Sequence, residues 1–137
     1  MAIYGAPIFH PDHALHACRA ALAMQSGVER LSAARVAEGK EPIVIGIGVN
    51  AGEVVAGTVG TEDRMEYTVI GDNVNLASRL TSNAKPGQIL ISRRTLDLVR
   101  DAVDVRALGG ILVKGKDDEV EAYELMGLRA PASGGKK

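Results

Sequence analysis

The run Tyr67-Thr68-Val69-Ile70-Gly71-Asp72-Asn73-Val74-Asn75-Leu76-Ala77-Ser78-Arg79-Leu80 constrains the fold more than any other segment. Its first four residues are aromatic or β-branched and read as a strand. Gly71 breaks that pattern, and Asp72 suits the cap of a helix extending to about Asn83. Within the helix Asn75 and Arg79 are four residues apart. They therefore project to one side about one turn from each other, close enough to hold a single anionic group. Arginine suits that task because its planar fork keeps its charge and bonds two oxygens at once, and a helix N-terminus nearby adds unpaired N–H groups. The same spacing also fits a capped helix with a solvated polar face.

The remaining segments alternate in kind. Ala2 to Tyr4 reads as a short strand closed by Gly5-Ala6-Pro7. A long helix follows from Pro11-Asp12, with Ala14, Ala17, Cys18, Ala21, Met24, Val28 and Leu31 forming one apolar stripe and Gly39 ending it. Ile43 to Val49 is apolar enough for a buried central strand, and Glu53 to Val59 reads as a second strand after a turn at Asn50-Ala51-Gly52. Tyr67 to Ile70, Gln88 to Ile91 and Glu119 to Met126 add strands, and Val103 to Val113 reads as a pair of strands around Gly109-Gly110. Ser92 suits the cap of a short helix to Val99. Strands mixed with two helices on one face point to an α+β sandwich of the ferredoxin-like kind. Gly46-x-Gly48 invites a dinucleotide-binding reading, but Ala51 stands where that motif needs its third glycine and no helix follows.

Composition narrows the function. With 137 residues, 46% of them hydrophobic, the chain has the size of one domain, assigned to residues 1–128, with a Gly, Ser and Lys tail at 129–137 expected to be disordered. A net charge of −1 and the absence of any basic run longer than two residues before Lys136-Lys137 argue against nucleic-acid binding. Cys18 is the only cysteine, which excludes an intrachain disulfide and a cysteine-based zinc site. No apolar stretch approaches the ~20 residues that span a bilayer, and a cytoplasmic location is expected.

Several separated motifs together resemble one family. Gly46-Ile47-Gly48-Val49-Asn50-Ala51-Gly52-Glu53-Val54-Val55-Ala56-Gly57-Thr58-Val59-Gly60, then Glu62-Asp63-Arg64-Met65-Glu66-Tyr67 and the strand–helix run, resemble the class III nucleotidyl cyclase catalytic domain. Met1 to Pro7, Pro86 to Ser92 and Val113-Lys114-Gly115 extend the likeness to about Leu128. The resemblance implies conversion of ATP to cyclic AMP and pyrophosphate. It places Asn75 where the family orients the ribose and Arg79 where it neutralises the phosphoryl oxygens. Thr68 stands at the base-selecting position, where its hydroxyl can accept from the adenine amino group, although a β-branched residue also simply suits a strand. Lys114 matches the lysine that meets the triphosphate, with Lys116 close enough to take its place.

The family also uses two Mg²⁺ or Mn²⁺ ions. Its two metal-binding aspartates and its adenine-selecting lysine lie upstream of the segment matched by Met1, so no metal ligand is assigned in this chain. Glu53, Glu62, Asp63, Glu66 and Asp72 match no metal position. The sandwich is accordingly expected to lack its first strand and first helices. The open edge this leaves favours a homodimer or a heterodimer with a cyclase domain, with strand swapping as one route to it. Head-to-tail family dimers share their sites, and Asn75 and Arg79 would complete a site whose aspartates come from outside this chain. The competing expectation is a catalytically inactive binding or regulatory partner, or a truncated remnant.

Overall fold

Four-residue Ile89–Ser92 is buried along its whole length, and the rest of the molecule is organised around it. The structure is a computed structural model that describes residues 2–5, 11–52, 55–112 and 119–129. Within the described strands, the side chains of 56, 59, 64–68, 109–112, 119 and 120 are not among those described. The elements in chain order are α1 (His13–Ala37), β1 (Ile47–Val49), β2 (Val55–Thr61), β3 (Arg64–Ile70), α2 (Asp72–Asn83), β4 (Ile89–Ser92), α3 (Arg93–Val99), β5 (Val103–Leu112) and β6 (Glu119–Leu128). β1, β4, β6 and β5 form one sheet in that order, β1 parallel to β4 and the other pairs antiparallel. β2 and β3 form a separate hairpin, paired from Val55↔Ile70 to Thr61↔Arg64.

Alternation along β4 divides the core in two. Ile89 and Ile91 face Ala14, Cys18 and Ala21 of α1, Leu96 and Val99 of α3, Val103 and Leu125. Leu90 faces the other way, onto Leu80 of α2 and Ala122 of β6. The two helices sharing one face are therefore α1 and α3, and α2 covers the opposite face. The architecture is the α+β sandwich expected from the order of elements.

Several boundaries differ from the sequence reading, each for a reason of pairing. Residues 2–4 form no strand: among the described residues none pairs with them, and an apolar segment without a ladder partner has no reason to stay extended. β1 is shorter than Ile43 to Val49 because its first half is used otherwise. The amide of Ile43 donates to Ser32 Oγ at 2.7 Å, and the carbonyl of Ile45 accepts from Gly87 N at 2.8 Å in the Pro86-Gly87 turn and from Gln25 Nε2 at 3.0 Å. Val103 to Leu112 is one strand with a register shift between Ala107 and Gly110, so Leu108 and Gly109 make a bulge where a turn was expected, and Gly110 re-enters the ladder opposite Glu121. β6 lies between β4 and β5. On α1 the buried stripe is Ala14, Cys18, Ala21 and Gln25, while Met24 and Leu31 remain 46% and 49% exposed. The 129–137 tail lies outside the described residues from 130 onward.

Burial pushes the Cys18 thiol up to about 11, so it stays protonated and inert at neutral pH. Because the folded value is raised above the ordinary 9.0, its contribution to stability is full below pH 9 and is lost as pH climbs toward 11. Urea unfolding over this window is expected to show a decline of roughly 2 kcal/mol in the native chain that Cys18→Ala lacks. Equal slopes in the two proteins would refute it.

Candidate active site

Helix α2 is placed by three glycines. A Cβ at Gly48 would lie 2.4 Å from Thr81 N and 2.7 Å from Ala77 O, both backbone atoms of α2. One at Gly46 would lie 2.9 Å from Ala84 O, and one at Gly52 2.4 Å from the Asn73 side-chain carbon Cγ. The helix backbone thus rests directly on β1 and its flanking residues, which only side-chain-free positions permit. The Gly46-x-Gly48 pattern is a seat for a helix.

The contacting positions Asn73, Ala77 and Thr81 recur every four residues, and Leu76 and Leu80 form the adjoining stripe over Leu90 and Ala122. Asn75 and Arg79 fall two residues beyond the first stripe, on the side of the helix turned away from the sheet. Asn75 is exposed and Arg79 half-buried. The structure thereby brings these two predicted site residues onto one face. Asp72 is not the cap. Gly71 takes that position with φ 137, which favours glycine, and Asp72 occupies the first turn, where its charge complements the helix N-terminus. Thr68 pairs with Gly57 on the hairpin; its side chain, and Lys114 and Lys116 entirely, lie outside the described residues.

A cavity of about 750 Å³ opens beside β1 between α1 and α2. Ala17, Ala21, Gly48, Asn73, Ala77 and Thr81 are among the residues lining it; Asn75 and Arg79 are not. A ligand held by those two side chains therefore sits on the outer face of α2. Among the described residues, no three His, Cys, Asp or Glu side chains come together in a group that could hold a metal ion. The described residues offer no ligand set for the metal that the resemblance implies. The described charge clusters lie elsewhere. On α3, Arg100 at 2.6 Å and then Arg93 hold Asp97 below the usual carboxylate range, and Arg93 at 2.8 Å does the same for Glu121. These pairs are exposed and contribute little.

The model of the adenylate and guanylate cyclase catalytic domain matches residues 1–127. The chain belongs to this family. Adenylate cyclase 1 of Rhizobium meliloti is 36% identical over 129 residues, 93% of this chain and 19% of its own length. Soluble guanylate cyclase 89Da of Drosophila melanogaster is 39% identical over 127 residues, covering 92% of this chain and 18% of that protein. The solved adenylyl cyclase CyaB from P. aeruginosa superposes with a TM-score of 0.86 at 36% identity, over 92% of this chain and 66% of that one. The cyclase chain thus spans about a fifth of these curated relatives. Its relatives include adenylate and guanylate cyclases alike. No helix among the described residues is long and apolar enough to cross a membrane.

One feature at the start of α2 escaped the sequence reading. Asn50 Nδ2 donates to the Asn73 carbonyl at 2.9 Å, and Asn50 Oδ1 accepts from Ser92 Oγ at 2.7 Å. These contacts span 23 and 42 residues, and a turn-forming Asn-Ala-Gly gives no local sign of them.

Proposed function

We propose that this chain supplies the phosphate-stabilising half of an adenylate cyclase site, with the metal-binding carboxylates provided from outside the described residues. The observation that carries this reading is the paired placement of Asn75 and Arg79 on the outward face of a helix whose own backbone is locked to the sheet. In the reaction the ribose 3′ hydroxyl gives up its proton to solvent as its oxygen attacks the α-phosphorus of ATP, the bond from that phosphorus to the bridging oxygen breaks, and pyrophosphate leaves with the electron pair. Negative charge gathers on the α-phosphoryl oxygens. Arg79 can meet two of them with its fork, and the Asn75 amide can hold the ribose oxygen in line. Both groups face away from the sheet core, where a second chain can approach, which suits a site shared by a head-to-tail dimer.

ATP is favoured over GTP by Thr68, whose hydroxyl can accept from the adenine amino group. Lys114 would meet the triphosphate as a point charge. The test is cyclic AMP formation from Mn²⁺-ATP by this chain alone and mixed with a cyclase domain that keeps its aspartates but has lost its own asparagine and arginine. Product only in the mixture is expected. A parallel run with GTP is expected to give less product; equal or greater yield overturns the ATP assignment.

A second reading draws on the lack of a metal-ligand group among the described residues. In it the chain pairs with a cyclase domain without catalysing. A folded chain that binds the partner domain but yields no product in the mixture would establish that reading over the first.

A further inference from the structure

The Asn50 side chain joins three elements. Its Nδ2 donates to the Asn73 carbonyl at 2.9 Å and to Asn73 Oδ1 at 3.2 Å, in the first turn of α2. The orientation of the amide follows from its partners, because a backbone carbonyl can only accept and so must face the nitrogen. Asn50 Oδ1 then faces Ser92 Oγ, which donates to it at 2.7 Å. That uses the one Ser92 proton, so Ser92 accepts from the Thr95 amide at 3.3 Å and from Thr95 Oγ1 at 2.9 Å. Thr95 Oγ1 in turn accepts from the amide of Ala51 at 3.0 Å. Ser92 and Thr95 are 2% and 0% exposed, so this chain of bonds is anchored where water does not compete.

Helix α2 needs such an anchor. Its cap residue is Gly71, which offers no side chain, and the amides of Val74 and Asn75 share the Gly71 carbonyl at 3.1 and 3.2 Å. The glycine seat at Gly46 and Gly48 holds the middle and end of the helix, leaving its first turn to be fixed by Asn50 and by Gly52 against Asn73. Asn75 lies two residues beyond Asn73, and Arg79 one turn further.

We propose that Asn50 is a positioning residue of this site: through Asn73 it sets where Asn75 and Arg79 stand, with Ser92 and Thr95 fixing its own amide. The inference rests on the role given to Asn75 and Arg79 above, and its test separates the two. Asn50→Asp keeps the shape but replaces the donor with an acceptor facing the Asn73 carbonyl; Asn50→Ala removes the donor without adding charge. Hydrogen exchange of single amides is read in the native chain and in both variants. Exchange at Val74 and Asn75 is expected to quicken at least tenfold in each, with Ile91 and Leu125 unchanged. In the mixture with the aspartate-bearing cyclase domain, kcat is expected to fall about 10- to 100-fold, with KM within twofold, as misplaced reacting groups require. Unchanged exchange at Val74 and Asn75, uniform quickening at all four amides, or a rise in KM at constant kcat would each overturn the proposal. If the native mixture makes no product, the functional reading fails while the exchange data still decide whether Asn50 holds the first turn of α2.

Discussion

Replacing Arg79 with alanine is expected to cut cyclic nucleotide formation in the mixed assay by about 100-fold, the scale on which one preorganised donor to a developing oxyanion acts. Asn75→Ala should fall in the same range. Neither change should move stability by more than about 0.5 kcal/mol, because both side chains lie on the outward face of α2 and neither belongs to a core cluster. Arg79→Lys separates charge from geometry. It keeps the positive charge but loses the planar fork, so most of the defect should persist. Recovery of full activity by the lysine variant would reduce the role of Arg79 to simple charge neutralisation. Retention of activity by both alanine variants, measured as initial rates with matched folded protein, would remove these residues from the chemistry altogether.

Gly48→Val should have the largest effect on folding. Its side chain would drive into Thr81 N and Ala77 O, and the helix must lift off β1 to admit it. A loss of about 3 kcal/mol is expected, the upper range of overpacking costs. The corresponding drop in thermal midpoint is roughly 10 °C. Gly57→Ala is the matched control, since a Cβ there meets nothing within 4 Å. Thermal unfolding followed by circular dichroism reads both. If the two variants melt together, the glycine seat does not hold α2.

The sequence disclosed what depends on near neighbours. The helix Asp72–Asn83, the Ser92 cap accepting from the Thr95 amide, and the shared face of Asn75 and Arg79 are all consequences of residues within a few positions of one another. The class of fold was also legible, because apolar strands separated by periodic helices admit few arrangements. What stayed hidden depends on distant partners. Ile43 to Val49 carries strand character throughout, yet only Ile47–Val49 finds a ladder, since Ser32, Gln25 and Gly87 claim the earlier backbone groups. Residues 2–4 have the composition of a strand but no ladder partner among the described residues. Asp72 has the chemistry of a cap, but the turn from β3 into α2 demands a positive φ and hands the position to Gly71. The missing third glycine already set Gly46 and Gly48 apart from a nucleotide loop, but what they do, admitting backbone atoms of Ala77, Thr81 and Ala84, depends on residues some 30 positions away.

The glycine seat also decides which mutational paths are open to this domain. At Gly48 the obstructing atoms include Thr81 N and Ala77 O, and no second-site change of side chain can withdraw a backbone atom. That position is closed to compensated drift. At Gly52 the three nearest atoms all belong to the Asn73 side chain, which a smaller residue at 73 would clear. A lineage could therefore exchange Gly52 and Asn73 together, in two steps, while Gly48 stays where it is for as long as α2 lies across β1.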